Sequence, residues 1–278
     1  MARRGDIDRP GAATSRRPRA WGDFGVVALM LAILASVYLL DVDTSLSEVR
    51  RIGRLTACMP PEYPPLVTGE AQAPGFDVEL LGEIAARIGV GLTIQSNAAM
   101  VRDFNPRSWR ITRAQCQILA GGVVSSQITR SFLDTTDPYL KTGWALVSPA
   151  PVLDLDGKTV AFLAGPAGLD RIALSRLLRA AGATVTMAKT RDDLIEGLAA
   201  GRFDAGASEA LMLSRIASEQ GWSFRGLDTG GGDNPISLGL WKGDLTLKNA
   251  VSAILADLRR SGFMTTLADR YGVTVLTD

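Results

Sequence analysis

Between residues 52 and 278 the hydrophobic pattern runs twice through the same strand–helix cycle, and that repetition constrains the fold more than any single motif. LTACM at 55–59 is a short apolar run stopped by Pro60 and Pro61, which reads as a buried strand ending in a loop. Over 77–88 the apolar residues Val78, Leu81, Ile84 and Ile88 fall at spacings of three, three and four, and Gly89 follows, the pattern of an amphipathic helix with its stop signal. GLTIQ at 91–95 alternates like a strand, QILA at 117–120 ends in Gly121 and Gly122, and WALV at 144–147 is a further strand. SPAP at 148–151 is a stiff, extended break. The cycle then restarts, with strands expected over 159–163, 184–187 and 203–208 and helices over 169–180, 191–200 and 209–220. Gly230, Gly231 and Gly232 loosen the chain before a strand over 236–240, and amphipathic helices over 247–261 and 264–271 close the sequence.

Strands alternating with helices argue for parallel α/β sheets. The expected architecture is α/β with two doubly wound lobes, joined at the Pro-rich segment and again near the Gly-rich one. Two crossings between two lobes make a hinge, and a ligand belongs in the cleft between them. The expected boundaries are 52–147 plus 237–278 for lobe 1 with its C-terminal return, and 148–236 for lobe 2.

Ahead of this lies a different kind of sequence. Residues 1–23 hold six arginines against three aspartates, a basic tail. Residues 24–40 (FGVVALMLAILASVYLL) are seventeen without a charge, followed by a linker over 41–51. Basic sequence before the apolar stretch and acidic sequence after it place the tail in the cytoplasm and the rest outside. The stretch is short for a transmembrane helix and a little long for a signal-peptide core. Small residues suited to cleavage are found only late, at Ser45-Leu46-Ser47, and the Arg16-Arg17 pair lacks the apolar residues a twin-arginine signal needs. The expectation is an uncleaved inner-membrane anchor on a periplasmic protein, with a cleaved, secreted form as the alternative.

The chain of 278 residues contains no histidine. That excludes Ser-His and Cys-His nucleophilic catalysis and His-ligated zinc. A formal net charge of +1 supplies no field for holding nucleic acid. No cofactor, metal or catalytic residue is expected. Cys58 and Cys116 are the only cysteines. Cys58 lies on the first strand and Cys116 at the start of a later one, so in an oxidising compartment they are expected to form a disulfide if those strands are neighbours.

Eight segments in order now carry a resemblance: YPP at 63–65, GFDVEL at 75–80, ILAGG at 118–122, DPY at 137–139, LDGKTV at 155–160, GPAG at 165–168, GRFDA at 201–205 and the closing run 258–272. Together they resemble the family 3 extracellular solute-binding proteins, periplasmic receptors of polar amino-acid uptake by ABC-type permeases. The resemblance implies the type II periplasmic binding protein fold, a small polar solute as ligand and a permease as partner. It places Tyr63 at the cleft edge and Phe104 where an aromatic stacks on the ligand. Gly121 and Gly122 fall where backbone meets the ligand's amino group, and Glu209 falls on the acidic position that pairs with it. Ser126 and Gly168 are the remaining polar and helix-terminus positions. For Tyr63, Phe104 and Glu209 the bland readings are a loop aromatic, core packing and a helix-start charge.

The anion side departs from that pattern. Where the family holds a carboxylate with an arginine, this chain has Thr129, with Arg130 one residue later. Either a local shift brings Arg130 into the cleft, or it is an exposed arginine on a short helix. Val124 replaces a hydroxyl residue, and Pro166 and Ala167 do the same in lobe 2. The cysteines and the missing arginine also resemble binding-protein-like proteins associated with quinoprotein dehydrogenases, which implies an enzyme or sensor as partner instead. Residues 97–113, with Arg102, Arg107, Arg110, Arg113, Phe104 and Trp109, are then either a partner surface or a solvated loop and helix. A third reading, a dehydratase using Glu209 with Asp77 or Asp137, lacks a convincing carboxylate pair.

Overall fold

The computed structural model describes residues 20–39, 43–102, 106–164, 169–230 and 234–276. The chain forms two compact units, 1–42 and 43–278. In the first, α1 (Ala20–Leu39) has described side chains over 25–36, and Leu29, Met30, Leu31 and Leu34 there are exposed. Among the described residues no helix is long and apolar enough to cross a membrane.

The second unit opens with α2 (Ser45–Ile52), where the sequence suggested only a linker. Polar contacts fasten it to lobe 1. The Asp43 carboxylate accepts from Ser45 N–H at 2.9 Å and from the Thr246 hydroxyl at 2.7 Å, and the Leu247 N–H donates to Ser45 Oγ. These contacts hold the Asp43 carboxyl down at about 2, although partial burial pulls the other way. Val49, buried, supplies the apolar contact.

Lobe 1 is built on β1 (Arg54–Met59), α3 (Phe76–Ile88), β2 (Gly91–Ser96), the one-turn α4 (Ala99–Arg102), β3 (Ile118–Leu119), α5 (Gln127–Phe132) and β4 (Leu133–Thr135). The apolar face of α3 buries Leu80, Leu81, Ile84 and Ile88, as its spacing requires. The chain then enters a hinge strand, β5 (Leu140–Thr142).

Lobe 2 comprises β6 (Trp144–Ser148), β7 (Thr159–Leu163), α6 (Arg171–Ala180), β8 (Thr184–Ala188), α7 (Arg191–Ala199), β9 (Ala205–Glu209), α8 (Ala210–Gln220) and β10 (Ser223–Leu227). Its sheet has the order β10-β6-β9-β7-β8. β7 is parallel to both its neighbours, and β6 runs antiparallel to β9 and β10. The chain returns through β11 (Asn234–Ile236), antiparallel to β5, into β12 (Gly239–Trp241) of the first sheet, whose order is β2-β1-β3-β12-β4. α9 (Leu245–Arg260) and α10 (Phe263–Tyr271) pack on α3, and Val275 bridges to Leu140 at the hinge.

Three expectations are corrected. β6 belongs to the second sheet, so the crossover falls at β5 and Gly143 rather than after 147. The single strand expected over 236–240 is two short strands in different sheets, because the chain turns through the hinge between Ile236 and Gly239. The segment 41–51 holds a docked helix; its short amphipathic pattern was hidden beside the stronger apolar run before it.

β1 and β3 are neighbours, which brings Cys58 and Cys116 to a Cα–Cα distance of 5.7 Å in a disulfide. Met100, Trp109, Ile111, Leu119, Val123 and Leu133 pack around it as a second apolar cluster. Trp109 is 3% exposed, which removes it from any partner surface. Arg113 is ion-paired with the buried Asp244 at 2.5 Å, and the Arg107 guanidinium lies 6.0 Å from the Phe132 ring.

Candidate functional site

The site is assembled from both lobes by turns that the sequence dictates locally. After β1, Pro60 and Pro61 end the strand, and the chain doubles back so that Tyr63 bridges Val67. The Tyr63 N–H donates to Val67 O at 2.6 Å and Leu66 N–H to Tyr63 O at 2.9 Å, which fixes the backbone and drives the ring inward to 1% exposure. Opposite it, Gly121 and Gly122 follow β3 with φ of +83° and +87°. A Cβ on Gly122 would stand 2.6 Å from Tyr63 Cε1, and one on Gly121 would stand 2.4 Å from Pro60 Cδ. Both positions therefore need glycine twice over, for the backbone conformation and for the close approach. Gly122→Ala is expected to cost about 1–3 kcal/mol through overpacking and left-handed strain. Chemical denaturation of the variant checks this; wild-type stability would show that Tyr63 yields freely.

Beneath these glycines Asp77, in the first turn of α3, is fully buried. One carboxylate oxygen accepts from Tyr139 Oη at 2.8 Å and the other from Gly121 N–H at 2.6 Å. Burial pushes its carboxyl up to about 6, and these hydrogen bonds only partly oppose that. Asp77 braces the cleft floor and does not face solvent. Sequence reasoning quoted the GFDVEL and DPY segments without seeing that Asp77 and Tyr139 meet.

From lobe 2, β9 delivers Glu209 to the N-terminus of α8. Its two oxygens accept from Leu211 N–H and Met212 N–H, each at 3.0 Å. The residue is 1% exposed, and burial raises its carboxyl to about 7 against those bonds and the influence of Tyr63. The Tyr63 phenol faces this carboxylate. The two are near enough to act on each other electrostatically, and the phenol is pushed well above its usual range, first by burial and then by Glu209. Even so, the hydroxyl makes no well-aligned hydrogen bond. The structure thus brings Tyr63, Gly121, Gly122 and Glu209 together, with Tyr63 reaching across from its own lobe to the other.

The anion-side residues are engaged with one another around α5. Ser126 caps α5, accepting from Thr129 N–H at 3.1 Å. Thr129 is buried, its hydroxyl 3.0 Å from that of Ser126. Arg130 is exposed and folds back to donate to Ser125 O at 2.9 Å. Phe104 and Gly168, with Pro166 and Ala167, lie outside the described residues.

Residues 55–274 match the bacterial extracellular solute-binding proteins, family 3. The chain belongs to that family. Among solved structures, this solute-binding protein is similar to an ABC uptake transporter substrate binding protein from Streptococcus pneumoniae with bound histidine. The TM-score is 0.67 at 16% identity, covering 84% of this chain and 98% of the other. It is also similar to the amino acid ABC transporter substrate-binding protein AbpA from Streptococcus pneumoniae bound to L-arginine, with TM-score 0.63, 20% identity and coverage of 81% and 97%. A third is the ancestral amino acid-binding protein AncCDT-1, described as a precursor of cyclohexadienyl dehydratase, with TM-score 0.64, 16% identity and coverage of 82% and 98%. At these identities the likeness shows the type II periplasmic binding protein fold. No curated protein sequence matches the solute-binding protein.

Proposed function

We propose that this solute-binding protein captures a small polar solute, an amino acid or a related small carboxylate or amine, between its lobes and delivers it to an ABC-type permease. Residues 24–40 would hold it at the periplasmic face of the inner membrane, with the basic tail inside. Its role is binding without turnover. The observation that carries the reading is the convergence of a buried acidic residue, Glu209, from lobe 2 with the Gly121–Gly122 turn and Tyr63 from lobe 1. A ligand touching both lobes stabilises the closed arrangement over the open one and shifts that equilibrium by its differential affinity. The relatives' described ligands, histidine and L-arginine, support the solute class.

The test is a thermal-shift screen of the full chain in detergent against amino acids, small carboxylates and amines. A true ligand at about a hundredfold excess over its Kd adds about 2.7 kcal/mol. Glu209→Gln keeps a carbonyl to cap α8 and is expected to weaken binding at least tenfold while the unliganded domain stays folded. No shift with any solute would sink the reading.

A second reading is favoured by the filled cleft, where Tyr63 already lies against Gly122. In it the protein docks to a periplasmic enzyme, such as a quinoprotein dehydrogenase, or to a sensor, and the cleft serves only to hold the lobes together. Copurification with such an enzyme, unaffected by Glu209→Gln, distinguishes it.

A further inference from the structure

The N-terminus of α9 is capped from outside its own segment. By position its cap is Asp244, whose side chain would accept from the amide of Thr246 or Leu247, the second and third residues of the helix. Asp244 makes no such bond. Both amides are taken by residues about two hundred positions earlier. Thr246 N–H donates to Asp43 Oδ2 at 2.5 Å, and Leu247 N–H donates to Ser45 Oγ at 3.2 Å. The Asp43 carboxylate also accepts from Ser45 N–H at 2.9 Å, so one side chain ties the start of α2 to the start of α9.

Asp244 is left displaced. It is 1% exposed, and its Oδ1 stands 2.5 Å from the guanidinium of Arg113, a side chain that is itself half exposed. Neither of its carboxylate oxygens has a well-aligned hydrogen bond. A carboxylate buried on one solvent-facing ion pair is costly to keep. As a helix cap it would accept from backbone amides in the positive field of the helix end. The missing cap bond and the poorly satisfied carboxylate therefore have one cause, the occupation of those amides by Asp43 and Ser45.

The α2 helix itself is weakly held. Eight residues are too few for a helix to stand alone in water. Only Ser45 and Val49 are buried in it, with Leu46 half-buried. It folds only while docked, and its docking depends on the polar clasp among Asp43, Ser45 and Thr246.

We propose that α2 is a releasable strap and that the N-terminus of α9 exchanges caps when the strap lets go. Asp43 and Ser45 leave the Thr246 and Leu247 amides, and Asp244 turns from Arg113 to take them. The two amides keep an acceptor in either state, so release costs little beyond exposing Val49 and Leu46. The exchange is independent of which solute or partner the protein takes. Its consequence rests on the anchor proposed above. With the strap docked, residues 41 and 42 alone separate the apolar stretch from the clasp. With it released, residues 41–53 do, thirteen residues that reach about 45 Å when extended. A receptor held close to its anchor becomes one on a long tether.

Hydrogen exchange on the full chain in detergent tests the exchange of caps without any substitution. The amides bonded within α2, such as Gly53 N–H to Val49 O, are expected to exchange at least tenfold faster than those of Thr246 and Leu247. One common rate, or slower exchange in α2, would show that the cap does not outlast the strap and would overturn the proposal. These rates are read within the domain, so failure of the anchor reading leaves them unchanged. Trypsin cleavage after Arg50 or Arg51, read by mass, reports the released strap. Asp43→Ala should speed it at least tenfold. Asp244→Ala removes the replacement cap and should slow it several-fold; if Asp244 serves only as the partner of Arg113, that change leaves cleavage unmoved or faster. The double variant leaves α9 without either cap and should melt lower than the two single losses together predict. Strictly additive losses would count against the exchange.

Discussion

Raising the pH from about 4 to about 8 is expected to remove several kcal/mol of stability from the unliganded domain, the reverse of the usual behaviour of a protein rich in paired carboxylates. The cause is the pair of carboxyls buried without cations. Asp77 is raised from 3.8 to about 6 and Glu209 from 4.5 to about 7, in both cases chiefly by burial. A folded-state value above the unfolded one means that the folded protein binds the proton more tightly. The contribution is therefore fully present below about pH 4 and is lost as pH rises through 6 and then 7. At about 1.4 kcal/mol per unit of pKa, each group accounts for up to about 3 kcal/mol. Asp43 acts in the opposite direction. Its carboxyl is held at about 2, so its contribution is present above the unfolded value and fades as acid is added below about pH 4. Maximum stability should fall near pH 4–5. Urea denaturation across pH 4–8 measures this, and Glu209→Gln should flatten the upper part of the slope. A stability that rises between pH 5 and 8 would show that neither carboxyl is desolvated as described. A bound cation should abolish the upper loss and release a proton, visible as a binding enthalpy that depends on the buffer.

Loss of the Cys58–Cys116 disulfide is the second large expected effect. The bridge closes 58 residues of chain. On the chain-entropy account a loop of that size removes about 4 kcal/mol worth of freedom from the unfolded state. The folded side adds to this, since the sulfurs are packed among Met100, Trp109 and Leu119, and the Trp241 indole N–H donates to Cys116 O at 2.7 Å. A Cys58→Ser, Cys116→Ser double variant, or the reduced protein, is expected to melt several degrees or more below the oxidised one. Equal midpoints would mean that the cluster alone fixes the β1–β3 pairing. The loss should leave the Tyr63–Glu209 arrangement unchanged, because it is held by Pro60, Gly122 and the α8 N-terminus instead.

The long periodic elements were legible in the sequence because their burial is one-sided. The stripe on α3 and the glycine stop at Gly89 follow from side-chain spacing and left-handed backbone, both local properties. What spacing did not reveal was set by partners distant in sequence. α2 is fixed by Thr246 and Leu247, about two hundred residues away, and β10 shows little burial contrast along its length. At the site, Glu209 and the two glycines were placed by motif, whereas the burial of Tyr63 against Gly122 follows only from the pairing of β1 with β3, distant in sequence. Arg130 was undecidable from spacing, since it stands one residue from the family's position and its contact with Ser125 is set by side-chain geometry.

The hinge carries one more consequence. β5 and β11 pair antiparallel with Lys141 opposite Pro235, and Val275 is laid beside Leu140 on the same pivot. Two strands hydrogen-bonded to one another twist together more easily than they slide, so relative motion of the lobes reduces to a rotation about a single axis. Points on such an axis stay almost still while distant rims sweep the widest arcs. A reporter placed at Val275 would register almost nothing of opening and reclosing, whereas a pair of labels on α7 and α3 would record the whole stroke.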